Sequence, residues 1–164
     1  MKAFLQSPVG VIEITESDGY ISAVRIVSEA ISVNNVAPTH LLQKAISQLE
    51  EYFAGERQEF DLPLKQEGTP FQQKAWGYLN TIPYGQTVSY KNEAIAISSA
   101  NACRAVGSAN GRNNIAIIVP CHRVVNEGKG LGGYAYGLDV KRYLLQLELR
   151  NKDIFLCSTY PDTK

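Results

Sequence analysis

The chain is poor in everything a covalent staple or a membrane span requires. Its 164 residues hold three cysteines, Cys103, Cys121 and Cys157, spaced 18 and then 36 positions apart. An odd count with no Cys-x-x-Cys pair excludes a secreted disulfide framework and a zinc site alike, and points to a reducing compartment. No stretch approaches the roughly 18 consecutive apolar residues of a membrane helix, and Met1-Lys2-Ala3-Phe4-Leu5-Gln6-Ser7-Pro8 meets a polar residue and a proline before any apolar run develops. The sequence therefore predicts a soluble protein without membrane association or export, in the cytoplasm, or in the nucleus if the cell has one. Net charge is lacking as well, because 16 Lys plus Arg balance 16 Asp plus Glu, and 45% of the residues are hydrophobic. That composition excludes disorder, collagen and low complexity. A chain of this length buries about 70% of its unfolded surface and needs no metal to hold a core.

The balance of charge hides an asymmetry. Residues 1–68 carry five basic and ten acidic side chains, and residues 69–164 carry eleven basic and six acidic. A basic half beside an acidic one is a pattern of polyanion binding, although chance clustering gives it equally well.

Residues 10–15 alternate in polarity, Asp18-Gly19 marks a turn, and residues 20–27 follow as the second strand of a hairpin. After Pro38, apolar residues from Leu41 to Phe53 keep a helical period that Gly55 can cap. Residues 56–68 are charged and aperiodic, and read as a linker. Thr69, Pro70 and Gln72 then spell a capping box with proline at the first helical position, ahead of Phe71, Ala75, Trp76 and Leu79 on one face. Two short helices opened by Ser89 and Asn101, broken at Ser98-Ser99, outline a helix-turn-helix. In the second, Ala102, Ala105, Val106 and Ala109 are expected to form a narrow buried stripe. Arg104 points away from it with Gly107 and Ser108 beside it, a thin surface that lets backbone approach a groove and one side chain enter it. A plain surface arginine is the competing reading. Ile115-Ala116-Ile117-Ile118-Val119 is expected to be a buried strand stopped by Pro120, giving a rigid support to Cys121-His122-Arg123.

An ordinary thiol is only a few per cent ionised at neutral pH, so a reactive cysteine needs a base. His122 is the candidate, acting through a water or a bent backbone because adjacent residues rarely face each other. A free buried cysteine beside a surface histidine is the alternative. In a final helix from about Asp139 to Arg150, Val140, Tyr143, Leu144 and Leu147 form an apolar arc. Glu148 stands at its edge, placed either to orient a partner such as His122 or simply at the surface. Gly128, Gly130 and Gly133 match G-x-G-x-x-G literally, but they do not lead from a strand into a helix, so no dinucleotide site is expected. His40 is expected to be exposed, and Cys103 and Cys157 to pack or stand idle.

At Pro120-Cys121-His122-Arg123-Val124 the chain resembles the methylated-DNA protein-cysteine methyltransferases, the O6-alkylguanine-DNA alkyltransferases. The likeness runs from Gly68-Thr69-Pro70-Phe71-Gln72 through Trp76, Ile82-Pro83-Tyr84-Gly85, Ser89-Tyr90, Arg104-Ala105-Val106-Gly107 and Asn113. Beyond the core motif it continues to Gly132-Gly133-Tyr134, Lys141, Leu144-Leu145 and Glu148, about half the chain. Ser7-Pro8-Val9-Gly10 and the hairpin after it resemble the family's variable N-terminal domain. The resemblance implies an α/β (α+β) fold. Its parts would be a ribonuclease-H-like α/β domain with linker over 1–68, and over 69–164 a mostly helical domain with the helix-turn-helix and the active-site cysteine.

The same resemblance implies a DNA repair protein that turns O6-methylguanine, and O4-methylthymine, out of double-stranded DNA and transfers the alkyl group irreversibly to Cys121, once per molecule. It implies a monomer without cofactor or metal. Cys121 would be the acceptor, His122 its water-mediated base and Glu148 the group orienting His122. Asn113 would brace the active-site segment. Arg104 would enter the DNA stack, with Gly107 and Ser108 at the DNA surface, while Tyr90 would help turn out and bind the nucleotide. Tyr134, Ala135 and Tyr136 would line the pocket. Several positions depart from the family pattern: Glu93 stands where an apolar residue is usual, Ser98 and Ala100 where Gly and Pro are common, and Asn114 where proline follows Asn113. Tyr136 is bulky where some members have glycine, and is expected to narrow the pocket. Two alternatives are a non-catalytic lesion-binding relative, which the presence of Cys121 opposes, and a helix-turn-helix regulator, which would need long polar side chains to read bases.

Overall fold

The computed structural model describes residues 1–27, 38–128 and 130–153. Three antiparallel strands in the order β1-β2-β3 open the chain: β1 Lys2–Ser7, β2 Gly10–Ser17 and β3 Tyr20–Val27. The hairpin of β2 and β3 turns at Asp18 and Gly19, whose φ values of 51° and 82° suit the right-handed twist of the strands. β1 was not anticipated, because only Ala3 and Leu5 face inward before Ser7-Pro8 ends the strand. Pairing with β2 rescues so short a pattern.

Helix α1, His40–Phe53, is capped by Thr39 and lays Leu42, Ala45, Leu49 and Tyr52 against the sheet. His40 is exposed, as expected. The segment read as a linker lacks regular structure but is tied down. Ile21 N donates to Pro63 O at 2.8 Å, Lys65 N donates to Ile21 O at 3.1 Å, and Gln48 clasps the backbone of Asp61 through both ends of its amide.

Helix α2, Pro70–Leu79, has the full capping box of Thr69 and Gln72, and its Trp76 Nε1 donates to Ala109 O at 2.9 Å. A short strand β4, Val88–Ser89, leads into α3, Tyr90–Ile97, capped by Ser89. A 3-10 turn over Ala100–Ala102 precedes α4, Cys103–Gly111, so the second helix of the pair starts later than Asn101. Its buried face is also rotated from the expected stripe. Val106, Ala109 and Asn110 are buried while Ala105 is exposed, because α4 is drawn onto α2 through Trp76 and onto α3 through Asn110.

Residues 115–119 are fully buried, as expected, but they are not a strand. Ile115 bridges Val24, and the chain then coils back so that Val119 N donates to Ile115 O at 3.0 Å. Ile117 sits at φ 71°, a left-handed backbone that a β-branched residue takes only where its surroundings impose it. Periodicity cannot separate a short buried strand from a buried knot of turns. Beyond it lie β5, Val124–Val125, parallel to β4, and α5, Leu138–Asn151. One apolar cluster spans both halves, from Ile14 and Leu49 to Ile117 and Leu144. Among the described residues no helix is long and apolar enough to cross a membrane.

Candidate active site

Cys121, His122 and Arg123 form a 3-10 turn directly after Pro120. The buried knot below them is locked by Asn113. Its Nδ2 donates to Val119 O at 2.8 Å and to Ile115 O at 3.3 Å, and its Oδ1 accepts from Ile115 N and from Gln66 Nε2, each at 3.0 Å. Gln66 Oε1 in turn accepts from Asn114 N at 2.9 Å, a bond that a proline at 114 could not make. The departure at 114 is thus used as a tie to the segment before α2.

Glu148 is not at the margin of the core but within it, 1% exposed, on a face of α5 shared with Lys141, Leu144 and Leu147. His122 Nε2 lies 2.6 Å from Glu148 Oε2. A carboxylate only accepts, so Nε2 carries the proton and Nδ1 is left as the basic nitrogen; Nδ1 is buried with no partner. Glu148 also accepts from Arg123 Nε at 2.7 Å, Arg123 Nη2 at 3.1 Å, Tyr52 Oη at 2.7 Å and Gly85 N at 3.3 Å. Burial by itself would raise this carboxyl. The charge and hydrogen bond of His122 and those of Arg123 outweigh burial and hold it well below the ordinary carboxylate range.

Cys121 has the opposite balance. Burial pushes its thiol up, against smaller lowering effects from Asn113 and the charge of Lys141. The resting group is therefore a neutral thiol that needs a base. Lys141 is fully buried and donates to Val124 O at 2.7 Å, to Gly133 O at 3.0 Å and to Leu131 O, so one ammonium gathers the glycine-rich loop beneath the cysteine. Burial lowers its pKa to about 8.

Cys121 opens into a cavity of about 510 Å³ whose walls include Tyr90, Arg104, Gly107, Tyr134 and Ala135. Tyr90 Oη reaches Gly133 O at 3.4 Å and its ring lies over Lys141 Nζ. Arg104 is exposed at the rim. Gly107 is mid-helix, and a Cβ added there would meet nothing within 4 Å, so no internal packing requires glycine. Ser108 is exposed outside the cavity lining, and Tyr136 stands behind Tyr134, their rings 5.7 Å apart, with its hydroxyl held by the backbone of Ile26. Cys103 is not idle in position, since it lines the same cavity; Cys157 lies outside the described residues.

Sequence reasoning missed Tyr52, Arg123 and Lys141 as partners in this arrangement. A buried tyrosine must place its hydroxyl, which was a signal at Tyr52. Lys141 and Glu148, seven residues apart on an apolar helix face, were another. Nothing in the sequence marked Arg123 as a ligand of Glu148.

Two family models match the chain, the ribonuclease-like domain of 6-O-methylguanine DNA methyltransferase over residues 1–66 and the DNA binding domain of the same protein over residues 70–150. A constitutive methylated-DNA–protein-cysteine methyltransferase of Bacillus subtilis is 43% identical over 151 residues, covering 87% of this chain and 92% of that protein. A methylated-DNA–protein-cysteine methyltransferase of Methanosarcina barkeri is 53% identical over 109 residues, 66% of this chain and 69% of that one. The crystal structure of Mycobacterium tuberculosis O6-methylguanine methyltransferase superposes with a TM-score of 0.82 at 40% identity, covering 92% of this chain and 93% of that chain. That of Mycobacterium tuberculosis OGT in complex with DNA does so with 0.83 at 41% identity and the same coverage.

Proposed function

The chain belongs to the 6-O-methylguanine DNA methyltransferase family, and from that premise we propose that it repairs double-stranded DNA by moving an alkyl group from O6-alkylguanine to Cys121. The observation that carries this reading is the contact of His122 Nε2 with Glu148 Oε2 at 2.6 Å, buried beside a cysteine that opens into a cavity. The fixed tautomer leaves Nδ1 to take the thiol proton, through one water. The thiolate sulfur attacks the alkyl carbon, the S–C bond forms as the C–O bond breaks, and the electron pair leaves on the guanine O6. The departing base takes back a proton, so atoms and charge balance, and a thioether sulfur is a poor leaving group, so the product on Cys121 is stable. Each molecule acts once.

An alkyl carbon inside duplex DNA is out of reach of a recessed thiol, so the nucleotide must turn out of the stack into the cavity. Arg104, at the rim of that cavity, fills the vacated space. Gly107 gives α4 a bare face at a cost of about 1 kcal/mol in helix propensity, and that face leaves room for the DNA backbone to come close. Tyr90 and Tyr134 flank the everted base, Asn113 and Glu148 position the reacting turn, and Ser108 meets the phosphate backbone. In this reading residues 1–68 and 69–164 are the two domains, the protein is a monomer of the cytoplasm, and O4-methylthymine is a second substrate.

Intact-protein mass spectrometry after mixing with a duplex carrying O6-methylguanine tests this. Wild type gains one methyl group, mapped to Cys121, and Cys121→Ala gains none. An unmodified wild type that still binds the lesion selectively would overturn alkyl transfer.

A further inference from the structure

One buried carboxyl has no part in the arrangement above. Glu93, on α3, is 0% exposed, and its Oε2 accepts from Asn110 Nδ2 of α4 at 2.9 Å. Glu93 Oε1 and Asn110 Oδ1 are both buried without a partner. Among the described residues no cation pairs with this carboxyl. Its charge acts on three titratable groups, Tyr78 from α2, Tyr90 on its own helix and Cys121, while β4, β5 and the 3-10 turn at residues 100–102 carry no titratable side chain.

As a carboxylate, Glu93 would be an unpaired charge between two packed helices beside two acceptors that lack a donor. Such an arrangement costs several kcal/mol in a protein interior. A single proton removes every element of that cost. A neutral acid can donate its O–H to the unpartnered Asn110 Oδ1 while Asn110 Nδ2 donates to Glu93 Oε2, which would satisfy all four polar atoms of the pair. We propose that Glu93 is a positioning residue for the transfer reaction: held as a neutral acid, it clasps Asn110 and fixes the α4 wall of the cavity, where Asn110 and Gly111 face Cys121. The proposal rests on the alkyl-transfer reading of that cavity.

Burial raises this carboxyl to about 7, against a smaller lowering by Asn110, so the clasp opens within the range in which proteins work. Ionised Glu93 also pushes the Cys121 thiol up. Both effects slow transfer as pH rises, and they oppose the usual gain from a more ionised thiol. No metal or second ligand is involved.

The test compares single-turnover transfer from a methylated duplex in wild type and Glu93→Gln, between about pH 5.5 and about pH 8.5. The glutamine amide supplies the missing donor at every pH, so the rate ratio of variant to wild type is near one in acid and rises about fivefold through neutrality. Taking the ratio removes the pH dependence that both proteins share and leaves the two effects of Glu93, on the α4 wall and on the Cys121 thiol. A ratio that does not change with pH overturns the proposal. Carbon-13 NMR of the glutamate carboxyls, with the Glu93 signal identified by its absence in Glu93→Gln, gives a midpoint near 7; one in the ordinary range overturns it. If Glu93→Gln does not fold, the side-chain amide resonance of Asn110 in wild type carries the same midpoint. Should neither protein transfer a methyl group, the functional reading fails while the NMR midpoint still decides the state of Glu93.

Discussion

Tyr52, in the helix that covers the N-terminal sheet, donates its hydroxyl to Glu148 at 2.7 Å, across 96 residues of sequence. The acidic half of the chain thereby contributes to the buried carboxylate that orients His122, and is more than a cover for the sheet. The same carboxylate holds the Tyr52 phenol well above its ordinary range, after the larger effect of burial, so the tyrosine remains a donor at every working pH. Removing the hydroxyl in Tyr52→Phe is expected to cost about 1.5–3 kcal/mol, the range for a hydrogen bond to a charged group. Urea denaturation measures the loss, and a severalfold slower single-turnover transfer accompanies it because His122 is less firmly held.

Glu148 is expected to make the fold less stable in acid. Its folded pKa is depressed, so its contribution is fully present above the pKa of the unfolded chain, about 4.3, and is lost as pH falls below that value toward the folded one. Glu148→Gln leaves Arg123 buried without its charge partner and is expected to cost about 3 kcal/mol or more at neutral pH. The gap between variant and wild type should close in acid. Thermal unfolding of both proteins from neutrality downward checks this, and a gap constant with pH would show that Glu148 is not the group titrating.

In the proposed reaction His122 takes the proton of the neutral Cys121 thiol. His122→Ala is expected to slow transfer about 10²- to 10⁴-fold near neutrality. Raising the pH should recover part of the rate in the variant, since free hydroxide then ionises the thiol in place of the imidazole. Quenched-flow transfer assays across pH read both effects, and the absence of any alkaline recovery would mean that His122 acts by geometry alone.

Gly107 separates stability from function. Gly107→Ala meets no neighbour in the protein and should raise stability by about 0.5–1 kcal/mol through helix propensity. The added methyl group stands on the face proposed to meet DNA, so binding to duplex DNA is expected to weaken severalfold. Denaturation and fluorescence anisotropy give the two signs independently.

Much of this arrangement is legible in the sequence. The capping box at Thr69, the hairpin turn at Asp18-Gly19 and the cap at Ser89 depend on residues a few positions apart, so local chemistry settles them. Cys121, His122 and Glu148 were picked out by their chemical types and by family resemblance. Burial of residues 115–119 was legible too, but their conformation was not. An unbroken apolar run says that water is excluded without saying which backbone bonds replace it, and here Asn113 and Val24 supply those partners from elsewhere.

The sequence by itself determined which segments are apolar, where helices start and which side chains can act as nucleophile, base and carboxylate. Only the tertiary structure decided how the buried charges pair. Glu148 meets His122, Arg123 and Tyr52, Lys141 meets three carbonyl oxygens, and Glu93 meets Asn110. The reason is the range of the forces. Propensity and capping act within a turn of chain, whereas the cost of a buried charge depends on every group that packing brings within a few ångströms. That neighbourhood exists only once the sheet, the knot and the helices have closed on one core.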